Sequence, residues 1–405
     1  MKLLDWLSGR AAEQLSPQQF LAEVQQENPP LLTNGGDLGQ RIHQRLVSRL
    51  PGGMRALFAK GDAVIGEVGL LSPNALAEFV PPHGYAIRVY TGLGHLFHTI
   101  GRILMTAATV QSESGIQPRT RTQPEATDLI ARLCNDLKRG EPVPAPGDFG
   151  LTETKLKMAT ELASGAEDFV IAHEYGHMAE WLKRGGNPGA ISPDEEYAAD
   201  RHALETVLGI VASWPVQKRL DHRGAYAGAE FALRVFGSLE HLNYEFERTH
   251  PLPGGRLKRL RETARAVVGS RFRFIEISTI AFASDQQLEE MERAIAGDTK
   301  AARFVVGVTA DRMLSTLSVL IEAAARMQLS LDETAERCTR ELDGLPADLL
   351  QIIAGQVTEM YEVEALQTAH LRNVQLRTAE VEAFKALKPR LPALFSSGQT
   401  DAAPN

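Results

Sequence analysis

The stretch EDFVIAHEYGHMAEWLKR, residues 167–184, constrains the fold and the chemistry of this chain more than any other, because it contains the pattern H-E-x-x-H. On an α-helix, His173 and His177 are four residues apart and lie on one face, so both imidazoles can reach the same metal ion. Glu174 follows His173 and can reach a water molecule on that ion. The pattern has this meaning only if the stretch is helical.

Signals at both ends predict a helix over about residues 165–184. Ser164 and Glu167 form a capping-box pattern, which is typical of a helix start, and Gly185 suits the position just after a helix end. Gly176 is unexpected, since a glycine in a helix interior costs about 1 kcal/mol. We therefore expect another backbone to approach closely at Gly176.

A second helix is predicted at about residues 193–211, where SPDEEYAAD begins at Ser192. Ser192 and Glu195 form another capping-box pattern, and Pro193 suits the first helical position. This arrangement uses Glu195 at the helix start and leaves Glu196 free as a third metal ligand.

Two histidines and one glutamate form a known ligand set of catalytic zinc, with one coordination position left open. Asp200 lies one turn after Glu196 and can accept a hydrogen bond from the second nitrogen of a metal-bound histidine. Ala199 and Ala203 are small enough for the two helices to pack closely. The alternative interpretation of this segment is an acidic, solvated helix face.

Composition indicates an ordinary globular protein. The chain has 405 residues, of which 43% are hydrophobic and 23% charged, and roughly 100–200 residues per domain suggests two or three domains. The formal net charge is -8 and there is no long basic run, which argues against nucleic-acid binding.

The sequence predicts a cytoplasmic protein without a membrane span. Its 2 cysteines, Cys134 and Cys338, form no disulfide framework, and Asp5 interrupts the short apolar stretch at the N-terminus. The most apolar segments, residues 85–110 and 304–327, both contain several charged residues, unlike membrane spans.

The site residues resemble those of gluzincin metallopeptidases, because Glu196 to Asp200 fits the pattern E-x-x-A-D beside H-E-x-x-H. Two further stretches are similar to the family of CAAX prenyl proteases and heat-shock membrane proteases. They are PNAL at 73–76 with the strand-like run 85–91, and Thr-His-Pro at 249–251 followed by Arg256. The motifs follow the family order over about residues 60–262.

The chain departs from that family in three ways. It lacks membrane spans, it has a long insertion at about 111–150, and the spacer between His177 and Glu196 is short. The short spacer is closer to soluble gluzincins, including those that cleave phage repressors and radiation-response regulators.

The resemblance implies a zinc-dependent metallopeptidase that hydrolyses protein or peptide substrates and holds one Zn²⁺ per chain. In this interpretation His173, His177 and Glu196 bind the metal and Glu174 is the general base that activates water. His250 is the candidate donor to the oxyanion, although it can equally be a loop histidine held by Pro251.

Further substrate contacts are expected near the metal. Arg256 and Tyr197 are candidate substrate or transition-state contacts. The strand at 85–91 is expected either to be the sheet edge that pairs with an extended substrate or to be a plain core strand.

The predicted fold class is α+β and mostly helical, with a zincin-like metallopeptidase domain that contains a small sheet. We expect a helical leader at 1–52, the catalytic domain at 53–265 and a helical region at 266–405. That last region carries apolar residues at helical spacing, which must be buried on the catalytic domain or on a second copy of the chain. The sequence thus leaves undecided whether the protein forms a homo-oligomer.

A different class of function is a regulatory or scaffolding protein that retains the zincin fold and binds a protein partner through its helical ends. The intact Glu174 argues against it, since metal binding alone does not need that carboxylate.

Overall fold

The structure is a computed structural model. It describes residues 15–31, 37–82, 84–108, 110–112, 115–186, 188, 192–209, 219–241, 251, 253–268 and the single positions 274, 277, 278 and 281. The chain divides into two compact units, Met1–Val267 with Ser284–Gly297 and Val268–Ala283 with Asp298–Asn405. The predicted helical region at 266–405 therefore lies almost entirely outside the described residues.

The fold class is α+β and mostly helical, as predicted. Within the described residues there are nine α-helices, a three-stranded mixed sheet and a two-stranded hairpin. The helices are α1 (Pro17–Glu27), α2 (Leu38–Leu46), α3 (Gly52–Lys60), α4 (Thr91–Ala107), α5 (Gln123–Lys138), α6 (Glu153–Lys183), α7 (Pro193–Leu208), α8 (Arg219–His241) and α9 (Pro253–Val268). The strands are β1 (Ala63–Val68), β2 (Ala75–Val80), β3 (Gly84–Tyr90), β4 (Val110–Ser112) and β5 (Gly115–Gln117). None of the helices in this part of the chain is long and apolar enough to cross a membrane.

Strand β3 lies at the centre of the main sheet, whose order is β1-β3-β2. It pairs in parallel with β1 and antiparallel with β2, so that Ile87 is opposite both Ile65 and Ala77. The expectation that residues 85–91 form the sheet edge is therefore wrong, and the core-strand alternative is confirmed. The physical reason is burial, since five of the seven residues of β3 are buried. The edge nearest the site is β2.

The N-terminal helices pack on the sheet. Helices α1 and α2 both contact β1, and Leu21, Ile42 and Leu46 of these helices are buried. The buried carboxylate of Glu67 accepts hydrogen bonds from the backbone nitrogen of Leu38, at 2.8 Å, and from the Thr91 hydroxyl, at 2.6 Å.

Helix α6 is 31 residues long and begins after the N-cap Thr152, so the predicted start at Ser164 is wrong. The helix continues through Gly165 because this glycine packs against α8. A Cβ atom on Gly165 would lie 2.7 Å from the Gly224 oxygen, and one on Gly228 would lie 2.3 Å from the Gly165 carbonyl carbon. Glycine here serves close helix packing rather than a helix boundary.

We expect Gly228→Ala to destabilise the protein by about 1–3 kcal/mol, because the added methyl group forces the α6 and α8 backbones apart. Chemical denaturation measures the effect. Gly224→Ala on the same helix is the matched control, since its Cβ would meet nothing within 4 Å. This control should be neutral or slightly stabilising. Equal stability of the two variants would contradict the close packing.

Candidate metal centre

Helices α6 and α7 bring the predicted ligands together. A Cβ atom on Gly176 would lie 2.6 Å from the Cα atom of Ala199 and 2.9 Å from its carbonyl oxygen. The predicted close approach at Gly176 is thus confirmed, and Ala199 of α7 provides it. This contact places Glu196, in the first turn of α7, beside the histidines in the middle of α6.

Three buried donor groups converge between the two helices. The Nε2 atoms of His173 and His177 are 3.1 Å apart, and each lies 3.4 Å from one carboxylate oxygen of Glu196. The ligand atoms all lie within 4.8 Å of one another, and among the described residues no other group of histidine, cysteine and acidic side chains has this property. Glu196 is completely buried.

The donor set fits a divalent metal ion. Imidazole nitrogen and carboxylate oxygen are both ligands of zinc, and three protein ligands are the number found in catalytic zinc sites. The two imidazole rings are nearly perpendicular to each other, at 89°, and their Nε2 atoms lie 3.1 Å apart. The cluster of His173, His177 and Glu196 can therefore bind a metal ion, consistent with an H-E-x-x-H site.

Asp200 and Arg256 lie behind His173. Oδ1 of Asp200 is 2.9 Å from His173 Nδ1, and the Arg256 guanidinium donates to both Asp200 oxygens, at 2.8 and 2.7 Å. Arg256 Nη1 also lies 4.0 Å from Glu196 Oε2. Arg256 is buried and belongs to α9, so this ion pair ties α9 to the site.

These contacts shift the protonation of the buried groups. Burial by itself lowers the pKa of His173, but its hydrogen bonds to Asp200 and Glu196 outweigh burial and raise that pKa to about 9. Burial raises the pKa of Asp200, but Arg256 and His173 outweigh it and hold that pKa well below its usual range. Asp200 is therefore ionised, and a metal ion that binds His173 Nε2 has to displace a proton.

Glu174 faces the edge of the sheet. Its Oε2 accepts a hydrogen bond from the backbone nitrogen of Ala77 in β2, at 2.7 Å. Burial raises the pKa of Glu174 to about 7, although His173 and the Ala77 N–H oppose the rise. A carboxyl group with a pKa near neutrality can both take and give a proton at neutral pH.

Glu195 does not have the role that the capping-box pattern predicts. Ser192 is the N-cap of α7, as predicted, and its hydroxyl accepts from Glu195 N at 3.3 Å. The Glu195 carboxylate instead accepts hydrogen bonds from Trp181 Nε1, at 3.0 Å, and from Arg184 Nη2, at 2.6 Å. Its Oε1 atom also lies 3.5 Å from His177 Nδ1. The local pattern concealed this role because both of its donors lie on α6 and the adjoining turn.

Of the two remaining predicted site residues, Tyr197 and His250, the structure describes only Tyr197. Tyr197 is half-buried beside Glu196, and the Arg259 guanidinium lies 3.8 Å from the centre of its ring. His250 lies outside the described residues, whereas Pro251 is described.

The fold and the site define a mostly helical α+β protein with a buried His-His-Glu cluster of the H-E-x-x-H type. Residues 105–272 match the model of the Peptidase U49 family, and this segment contains both helices of the cluster and Arg256. The match supports a peptidase. No curated protein and no solved structure matches the chain. The resemblance to the family of CAAX prenyl proteases and heat-shock membrane proteases stays a prediction.

Proposed function

We propose that the protein is a zinc-dependent metallopeptidase that hydrolyses peptide bonds in protein or peptide substrates. The observation that carries the proposal is the buried convergence of His173, His177 and Glu196, with the buried Glu174 next to His173 on the same helix. The match of residues 105–272 to the Peptidase U49 family model also supports it.

His173, His177 and Glu196 would hold one zinc ion per chain. Zinc, when bound, supplies a Lewis acid that polarises the scissile carbonyl group and makes a water molecule more acidic. A set of three protein ligands leaves one coordination position for water or substrate.

Glu174 is the proposed general base. Its carboxylate takes a proton from the attacking water and passes it to the leaving amine, which requires a pKa close to the working pH. The hydrogen bond from Ala77 N fixes the carboxylate, and burial raises its pKa to about 7. Both features suit proton transfer in two directions.

Asp200 and Arg256 are proposed to position His173 rather than to touch substrate. Arg256 directs its guanidinium to both oxygens of Asp200, and Asp200 in turn fixes the His173 ring through Nδ1. A carboxylate behind a metal-bound histidine sets its tautomer and orientation.

The substrate is proposed to bind along the edge strand β2. The Ala77 N–H points away from β3 and reaches Glu174, so the edge of β2 that no other described strand pairs with runs beside the proposed base. An extended peptide can add to such an edge through main-chain hydrogen bonds. His250 stays the proposed donor to the oxyanion, with Tyr197 as a candidate substrate contact.

The experiment that tests this function is digestion of a proteome-derived peptide library, with the products identified by mass spectrometry. Zinc-loaded wild-type protein should cleave peptides, and the Glu174→Gln variant at equal zinc content should not. Absence of cleavage by the zinc-loaded wild-type protein, or equal cleavage by the Glu174→Gln variant, would contradict the proposal.

We expect Asp200→Asn to weaken zinc affinity by about 10–100-fold, since the neutral amide supports the imidazole of His173 less well than a carboxylate. Titration with a competing chelator measures the change. Asp194→Asn removes an exposed carboxylate from the same helix and is the control. Equal affinities of the two variants would show that Asp200 does not act on the metal.

A further inference from the structure

The two candidate histidine ligands need the same kind of support. If Nε2 of each ring binds the metal, Nδ1 carries the hydrogen, and a buried N–H group needs an acceptor. For His173 the acceptor is Asp200. His177 is equally buried, at 4% exposure, and the carboxylate oxygen placed opposite its Nδ1 is Oε1 of Glu195, at 3.5 Å.

The Glu195 carboxylate is itself held in place. Trp181 Nε1 donates to Oε1, and Arg184 Nη2 donates to Oε2. The side chain is buried, so these two donors compensate for its removal from water. Trp181 also stacks on the His177 ring, with centroids 6.2 Å apart and an interplanar angle of 24°. The ring of His177 thus contacts both Glu195 and the residue that fixes Glu195.

The arrangement behind His177 resembles the one behind His173, with a longer contact between histidine and carboxylate, 3.5 Å instead of 2.9 Å. In each case an arginine binds a carboxylate, and the carboxylate faces the Nδ1 atom of a histidine. The two sets are Arg256, Asp200 and His173, and Arg184, Glu195 and His177. They differ in exposure, because the Arg256 side chain is 9% exposed and that of Arg184 is 41% exposed.

We propose that Glu195 is a positioning residue for the metal ligand His177, which it holds in the Nδ1–H tautomer with Nε2 directed at the ion. The proposal rests on the metal site of the proposed function. Adjacent residues in the first turn of α7 then have two tasks, since Glu196 binds the metal and Glu195 orients another ligand. Outer carboxylates of this kind raise the basicity of the imidazole as well as fixing its direction.

A purely structural role for Glu195 has different consequences. The same contacts to Trp181 and Arg184 also join α6 to α7. If they do only that, loss of the carboxylate lowers thermal stability but leaves the metal affinity of the folded protein unchanged. Metal affinity and the ligand field at the metal therefore separate the two roles.

The test uses the full chain with Glu195→Gln and Glu195→Ala, and Glu205→Gln as control. Glu205 lies on the same helix, where it pairs with Arg201 at 2.8 Å and is 43% exposed. We expect Glu195→Ala to weaken zinc binding by about 10–100-fold in a chelator competition, Glu195→Gln to weaken it less, and the control to match wild type. The visible d–d spectrum of the Co²⁺-substituted protein should shift in both Glu195 variants.

Trp181→Phe provides a second route to the same answer. It keeps a ring against His177 but removes the Nε1 donor, so the cobalt spectrum should shift even if Glu195→Ala does not fold. Zinc affinities and spectra of Glu195→Gln and Trp181→Phe that match the Glu205→Gln control would overturn the positioning role alone. Failure of the wild type to bind zinc would overturn the metal site and this inference together.

Discussion

Glu174→Gln is expected to retain zinc and to lose peptide hydrolysis by about 10²–10⁴-fold, the usual contribution of a general acid–base group. The amide has nearly the same shape as the carboxylate and can still accept the hydrogen bond from Ala77 N, so the fold should persist. It cannot take a proton from water. Initial rates on a peptide identified from the library, measured at equal zinc content, give the ratio.

Glu180→Gln is the matched control for the loss of a carboxylate from α6. Glu180 lies six residues further along the helix, where it pairs with Lys183 at 2.6 Å and is 26% exposed. The control should cleave like wild type. If Glu174→Gln cleaved as fast as Glu180→Gln, the base would have to be another group, and the role of Glu174 would be limited to its contact with the edge strand.

The core of the site could be predicted because its signals are local. The spacing of His173 and His177 and the Ser192 cap with Pro193 depend on residues within a few turns of one another. Gly176, which has a low helix propensity, indicated a close contact with another backbone, and that contact is with Ala199 of α7. Short-range patterns thus fixed which side chains can face a metal ion.

The errors arose where a residue serves a distant partner. Ser164 and Glu167 have the pattern of a helix start, but the neighbouring Gly165 lies inside α6 and packs against Gly228 on α8, more than sixty residues away in sequence. Glu195 fits a capping box, but its carboxylate is held by Trp181 and Arg184. Helix propensities contain no information about such tertiary contacts, which override them.

The position of β3 in the sheet shows the same limit. The run at 85–91 is largely apolar apart from Arg88, which is typical of a strand buried on both faces of its sheet. Sequence alone could not decide whether this strand lies at the edge or at the centre of the sheet. The order of the strands depends on which of them pair with β3, and that is a tertiary contact. Strand β2 is less buried than β1 and β3, and its proximity to Glu174 results from the packing of α6 on the sheet.

His177→Ala is expected to abolish stoichiometric zinc binding. Wild-type protein should hold about one zinc per chain after dialysis, since three protein ligands complete a catalytic site. The variant keeps only His173 and Glu196 and should release the metal to a chelator. Elemental analysis of the dialysed proteins measures the difference, and His202→Ala, which removes a half-buried imidazole from α7 outside the cluster, is the control.

Thermal unfolding gives an independent measure of the same site. Zinc at a free concentration 100-fold above its Kd should stabilise wild type by about 2.7 kcal/mol, because the metal binds the folded state. His202→Ala should show the same increment, and His177→Ala should show none. Equal zinc content and equal stabilisation in His177→Ala and wild type would place the metal elsewhere and remove the basis for assigning His173, His177 and Glu196 as its ligands.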